Sequence, residues 1–143
     1  ALDIVTRAVG KSRAHRTLEA ALTKLLDEAT PVPAAFRDRL RHTLDRTLGF
    51  AERVAAEPAL EASARQVASG LYHITSAILM VWEAARPGAD ARRALYARFV
   101  LEYRLSAQDP LEPHIDDWER EAAEILFGER RVALAEIVGL LDR

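Results

Sequence analysis

Three groupings in this chain hold the residue types that chemistry requires. In ASGLYHITSAILMVWEAARPG, residues 68–88, Ser69, His73, Ser76, Met80 and Glu83 recur at steps of four, three, four and three. Positions three or four apart on a helix are neighbours, so His73 beside Ser69 or Ser76 pairs a base with a nucleophile. Nucleophilic catalysis also needs a group that orients the base and donors for an oxyanion, and no pattern supplies either. Helix hydroxyls are commonly satisfied by main-chain carbonyls. No catalytic residue is therefore assigned. Ser69, His73, Ser76 and Met80 are read as an interface, facing other domains of the same chain or a second copy in a homo-oligomer.

The second grouping is acidic. Asp109, Glu112, His114, Asp116, Asp117 and Glu119 offer hard oxygen ligands and one imidazole, a composition suited to a divalent cation. It coincides with a linker and a helix start, where carboxylates complement the helix dipole and cap backbone donors without a metal. No metal ligand is assigned. The third grouping is basic: Arg7, Lys11, Arg13, His15 and Arg16 surround Gly10. A phosphate is the ligand these residues could receive, with Lys11, Arg13 and Arg16 as contacts and Ser12 capping the following helix. Without interleaved aromatics or a recognition-helix pattern, the cluster does not read as a nucleic-acid surface.

Composition narrows the field. The chain has 143 residues, half of them hydrophobic, and 20 basic against 22 acidic residues. That balance gives no global attraction to nucleic acid or to an anionic membrane. The absence of cysteine removes disulfides, thiolate metal sites and cysteine nucleophiles, and it is compatible with a reducing cytoplasm, the expected location. No apolar run reaches the ~20 residues that a bilayer crossing needs, and the N-terminal ALDIVTRAVGKSRAHR lacks a signal-peptide pattern. The motifs GxGxxG, GxxxxGK[ST], HExxH, GxSxG and paired ExxH are all missing.

The elements that must position these groups read throughout at period 3.6. Proline and glycine divide the chain into about six segments, which predicts an all-α single bundle of five to six helices spanning residues 1–143. The first runs over about 2–29 and bends at Gly10. Thr30-Pro31-Val32-Pro33 makes a turn, since the residue before proline is pushed out of the helical region. The second covers 33–56, with Phe36, Leu40, Leu44, Leu48, Ala51 and Ala55 inward. The third opens at Pro58 and ends at Arg86-Pro87-Gly88. Its dry face is placed on Val67, Leu71, Ile74, Thr75, Ile78, Trp82 and Ala85. Asp90 caps the fourth, 91–106, whose inner side is Ala91, Leu95, Phe99 and Leu105. Residues 107–113 link to a fifth segment at 114–127 and a sixth at 129–142. A small apolar ligand near Trp82 and Phe99 is a further possibility. The first residue is Ala and already lies in helical periodicity, from which a domain excised from a longer protein is expected.

Residues 68–106, ASGLYHITSAILMVWEAARPGADARRALYARFVLEYRL, resemble the C-terminal helical region of bacterial acyl-CoA dehydrogenase-like flavoproteins. The resemblance lies in the GLYHITSAILMVWEA helix, the Pro-Gly break and the arginine- and alanine-rich helix after it. It implies a parent enzyme that binds FAD and oxidises an acyl thioester, with this region serving packing or dimerisation. The family's GGxGY-type and RxxFG segments do not occur here, so no catalytic base and no flavin ligand is carried over. The alternative is a noncatalytic helical interaction or ligand-sensing module.

Overall fold

A computed structural model describes residues 3–107, 111 and 117–142. Among these the chain is all α, with no strand. A π-helical segment, Ile4–Lys11, leads into α1 (Ala14–Glu28), α2 (Ala34–Ala56), a 3-10 segment (Pro58–Ser63), α3 (Ala64–Ala84) and α4 (Arg92–Val100). A π-helical turn, Leu101–Leu105, extends α4; α5 (Trp118–Leu126), a 3-10 turn (Leu134–Glu136) and α6 (Val138–Leu141) complete the bundle.

The buried stripe of α2 explains how two clusters share one helix. Phe36, Leu40, Leu44 and Leu48 are each four residues apart and almost fully buried in the main core. Each step of four advances the stripe by about 40°, so it winds around the helix. The steps of three at Ala51 and Val54 turn it back, and these residues join Val5, Val9, Ala64 and Val67 in a second cluster. Leu71 packs against both. Each buried Leu or Phe contributes about 1.5–3 kcal/mol of transfer free energy.

Helices α3 and α4 form a hairpin around Gly88, whose φ of 72° lies in the left-handed region that glycine tolerates. The two helices pack on each other and bury small residues: Ala77 and Ala84 on α3, Ala91 at the cap of α4, and Ala94 and Ala97 within it. This contact rotates α3 by roughly 50° relative to the face expected from its large residues. The helix buries Val67, Ile74, Ala77, Ile78, Val81 and Ala84, while Trp82 is only half-buried. Trp82 instead donates its indole N–H to Glu28 Oε2 at 2.8 Å and carries the Arg86 guanidinium 4.3 Å above its ring.

Other boundaries also differ from expectation. The first segment does not break at Gly10, which lies inside the π-helical turn, where an added Cβ would meet Val5 O at 3.5 Å and Ala55 Cβ at 3.8 Å, both ordinary contacts. The break falls two to three residues later, where Ser12 N–H bonds to Arg7 O at 2.9 Å and Arg13 takes a φ of 51°. That conformation is uncommon for a residue with a Cβ. The third segment opens as a 3-10 turn, and the sixth is two short turns, not one helix. The N-cap of α4 is Ala91, one residue later than the expected Asp90, whose Oδ1 nevertheless accepts the Arg92 main-chain N–H at 3.2 Å.

Arginines tie the C-terminal part to the rest through orphan carbonyls. Arg92 donates to Gly128 O at 2.6 Å and Arg131 to Gly88 O at 2.7 Å. Arg98 is buried: it donates to Leu140 O and lies 3.8 Å above the Trp118 ring. At the other end, Arg37 closes the α1–α2 turn by donating to Val32 O at 3.1 Å. Carbonyls at helix ends need such partners.

Candidate anion-binding groove

A recess of about 1120 Å³ is an open groove between the second half of α2, the start of α3 and the end of the π-helical turn after α4. Four arginines line it: Arg46 and Arg53 from α2, Arg65 from α3 and Arg104 from the π-helical turn. The wall carries one carboxylate, Asp45, an excess of three positive charges with His42 neutral, on a chain whose formal net charge is -2. Phe50 and Leu105, both half-buried, add apolar lining to the groove. Arg46 and Arg53 stand seven residues apart on one face of α2, about 10.5 Å along its axis.

These four gather in one recess without neutralisation. Most other arginines are matched to carboxylates, among them Arg7 to Asp3 at 3.2 Å, Arg39 to Glu102 at 2.5 Å, Arg41 to Asp27 and Asp38 at 2.8 Å, and Arg93 to Glu83 at 2.6 Å, while Arg37 and Arg131 donate to main-chain carbonyls and Arg86 stacks on Trp82. Among the described residues, Arg46, Arg53, Arg65 and Arg104 have no carboxylate within ion-pair distance. Arg53 alone has a partner of another kind, the Phe50 ring 5.7 Å from its guanidinium. Local sequence explains the deficit. No acidic residue lies three or four positions from Arg46 or Arg104. Glu57 is four residues from Arg53 but sits in extended backbone, and Glu61 is four residues from Arg65 but sits in a 3-10 turn. The four-residue spacing makes neighbours only within a continuous α-helix.

The helices approach closely at the groove. A Cβ added to Gly70 would stand 3.2 Å from Thr47 Cγ2, so the crossing of α2 and α3 depends on a residue without a side chain there. Thr43 and Thr47 turn their hydroxyls inward along α2, donating to Arg39 O at 2.9 Å and Thr43 O at 2.8 Å. Ser63, Gln66 and Ser69 make no side-chain hydrogen bond among the described residues, so the groove adds uncommitted donors to its guanidinium groups.

The residues singled out in the sequence fall in different places. Ser69 lies on the groove wall. His73 is half-buried with its ring edge-on to Tyr72, centroids 5.1 Å apart. Ser76 donates to Tyr72 O at 2.8 Å, and Met80 packs against the main core. Among the described residues His73 shares no hydrogen bond with either serine, so no base and nucleophile are brought together. Phe99 is occupied by Trp118, ring centroids 4.8 Å apart, and by Tyr103.

In the basic cluster, Ser12 donates to Ala8 O and does not cap α1. Arg16 reaches Glu52 at 2.6 Å and Glu19 at 2.8 Å, and Arg13 stands 3.9 Å from Glu52. Lys11 borders a separate shallow recess. His15 is buried and donates from Nε2 to Glu52 Oε1 at 2.8 Å. The bond from His15 and the charge of Arg16 hold the Glu52 carboxyl below its ordinary value. These arginines are thus already neutralised. Of the acidic grouping, Asp109, Glu112, His114 and Asp116 lie outside the described residues. Asp117 pairs with Arg120 at 3.3 Å, and Glu119 accepts from Tyr103. That bond pushes the Tyr103 phenol up to about 12. Among the described residues no three metal-binding side chains converge, and no helix is long and apolar enough to cross a membrane.

The groove was not singled out from the sequence, where Arg46 and Arg53 blend into the solvated side of α2. The available signal was the absence of acidic partners at helical spacing. Comparison of the chain with protein-family models, with curated proteins and with solved structures finds no match.

Proposed function

We propose that this chain is a noncatalytic helical recognition module that receives an anionic ligand in the α2–α3 groove. The observation that carries the reading is the gathering there of four arginines without carboxylate partners, in a chain that neutralises most of its other arginines. Guanidinium groups left free of internal partners keep their fork of donors available to a phosphate or carboxylate. A ligand that binds only the folded chain raises its stability by mass action, by about 2.7 kcal/mol at a hundredfold excess over Kd. Inorganic pyrophosphate is therefore expected to raise the melting temperature more than sodium chloride of equal ionic strength. The double variant Arg46→Glu, Arg104→Glu should lose that difference. Equal shifts from the two salts, or an undiminished shift in the variant, would contradict the reading.

A second reading keeps the resemblance of residues 68–106 to acyl-CoA dehydrogenase-like flavoproteins, with this chain as a packing or dimerisation domain and FAD held by other regions of a parent enzyme. It is supported by the outward exposure of Tyr72, Leu79 and Tyr96 on the α3–α4 hairpin that spans those residues. A reading frame with no flavoenzyme middle domain adjoining this region would end it.

A further inference from the structure

We infer that the occupant of the groove is a diphosphate ester of an apolar body: its phosphoryl oxygens meet the arginines and its organic part lies on Phe50 and Leu105. This rests on the anionic reading of the groove and narrows it to one ligand chemistry.

Three properties of the walls select this class. The first is the mismatch between donors and acceptors. The four arginines can only donate, Ser63, Ser69 and Gln66 can donate as well as accept, and Asp45 is the one carboxylate on the wall. The main-chain carbonyls of α2 and α3 are consumed inside their helices. An ionised phosphate has only acceptors and matches such a surface. An acidic peptide brings an N–H on every residue, and most of these would find no partner. The second property is the apolar lining. Phe50 and Leu105 add carbon to the lining beside the charged groups, which an inorganic anion cannot use. The third is size. A groove of about 1120 Å³ lies just above the ~300–1000 Å³ typical of small-molecule sites. Along α2 it runs from His42 to Arg53, about 16 Å, enough for a diphosphate together with an organic group.

The same chemistry is shared by nucleoside diphosphates and by isoprenoid diphosphates, so the test separates them. Isothermal titration calorimetry at low ionic strength would compare ADP, geranyl diphosphate, inorganic pyrophosphate, adenosine and a glutamate decamer. One of the two esters is expected to bind at least fivefold more tightly than pyrophosphate, and which one identifies the body as aromatic or aliphatic. Arg46→Gln and Arg104→Gln should each weaken that ester about tenfold, the loss of one charge-assisted contact of about 1.4 kcal/mol. Arg86→Gln, on the Trp82 ring away from the groove, should leave binding unchanged. All four arginines of the groove are exposed, and circular dichroism should show the variants folded. Pyrophosphate binding as tightly as both esters would overturn the ester assignment and leave the anionic reading standing. Preference for the glutamate decamer would overturn it in favour of a peptide. An absence of binding by every anion would overturn both.

Discussion

A guanidinium at the surface of this chain is defined by what stands one helical turn away. Asp3 and Arg7, Arg16 and Glu19, Asp38 and Arg41, and Asp117 and Arg120 are pairs at spacings of three or four, and each is made in the structure. Arg46 and Arg104 have no such partner, and that part of the groove was legible in the sequence. The parts contributed by Arg53 and Arg65 were not, because both have a glutamate four residues away that backbone geometry moves out of reach. Asp90 shows the opposite case. Its bond to the Arg92 side chain, with the Arg92 main-chain N–H assisting, lowers the carboxyl from 3.8 to about 2. A carboxyl depressed in the folded state stabilises above its unfolded value and loses that contribution as pH falls through the folded one. The stability difference between the natural chain and Asp90→Asn should therefore be constant above pH 4 and fade between about 4 and 2. Its plateau should be about 1–2 kcal/mol after allowance for solvent screening. Urea titrations across that pH range would show it; a difference that does not change with pH would contradict the assignment.

At the scale of elements, residue size misleads where alanine decides the packing. The boundaries of α2 follow from Pro33 and Pro58 and its inward residues from Phe36 to Leu48 from a repeat of four, so these were legible; at its C-terminal end Val54 is buried where Ala55 was expected. For α3 the face was weighted by Leu71, Ile78 and Trp82, whereas the buried face runs through Ala77, Val81 and Ala84. An alanine stripe has little hydrophobic weight in a sequence but allows two helices to draw together. Arg98 escaped notice for a related reason. It occupies the stripe of Ala91, Ala94, Leu95 and Leu101, and its charge argued for solvent although its carbon stem and ring contact belong to the interior. The corrected faces make a quantitative contrast. Phe36→Ala should cost about 3–5 kcal/mol, as for a fully buried aromatic. Trp82→Ala should cost only about 1–2 kcal/mol, for a half-exposed ring with one hydrogen bond and one stacked cation. Chemical denaturation of the two variants measures both, and equal losses would restore Trp82 to the core.

For the molecule as a whole, the all-α class was legible from periodicity alone, but the division of labour between its ends was not. The sequence draws the eye to the N-terminal Lys11, Arg13 and Arg16, and folding places Glu52 of α2 against both arginines of that cluster. The same helix, two turns earlier and on another face, carries Arg46 beside α3 and the π-helical turn after α4 with no acid opposite. Tertiary structure thus neutralises one basic cluster and assembles another from three separated elements. The most direct measurement is a titration of the isotope-labelled chain with inorganic pyrophosphate, followed by amide NMR shifts. The account predicts saturable shifts concentrated in residues 42–53, 63–70 and 104–105, with residues 11–16 little changed. Shifts centred on residues 11–16, or spread evenly over the surface, would contradict it.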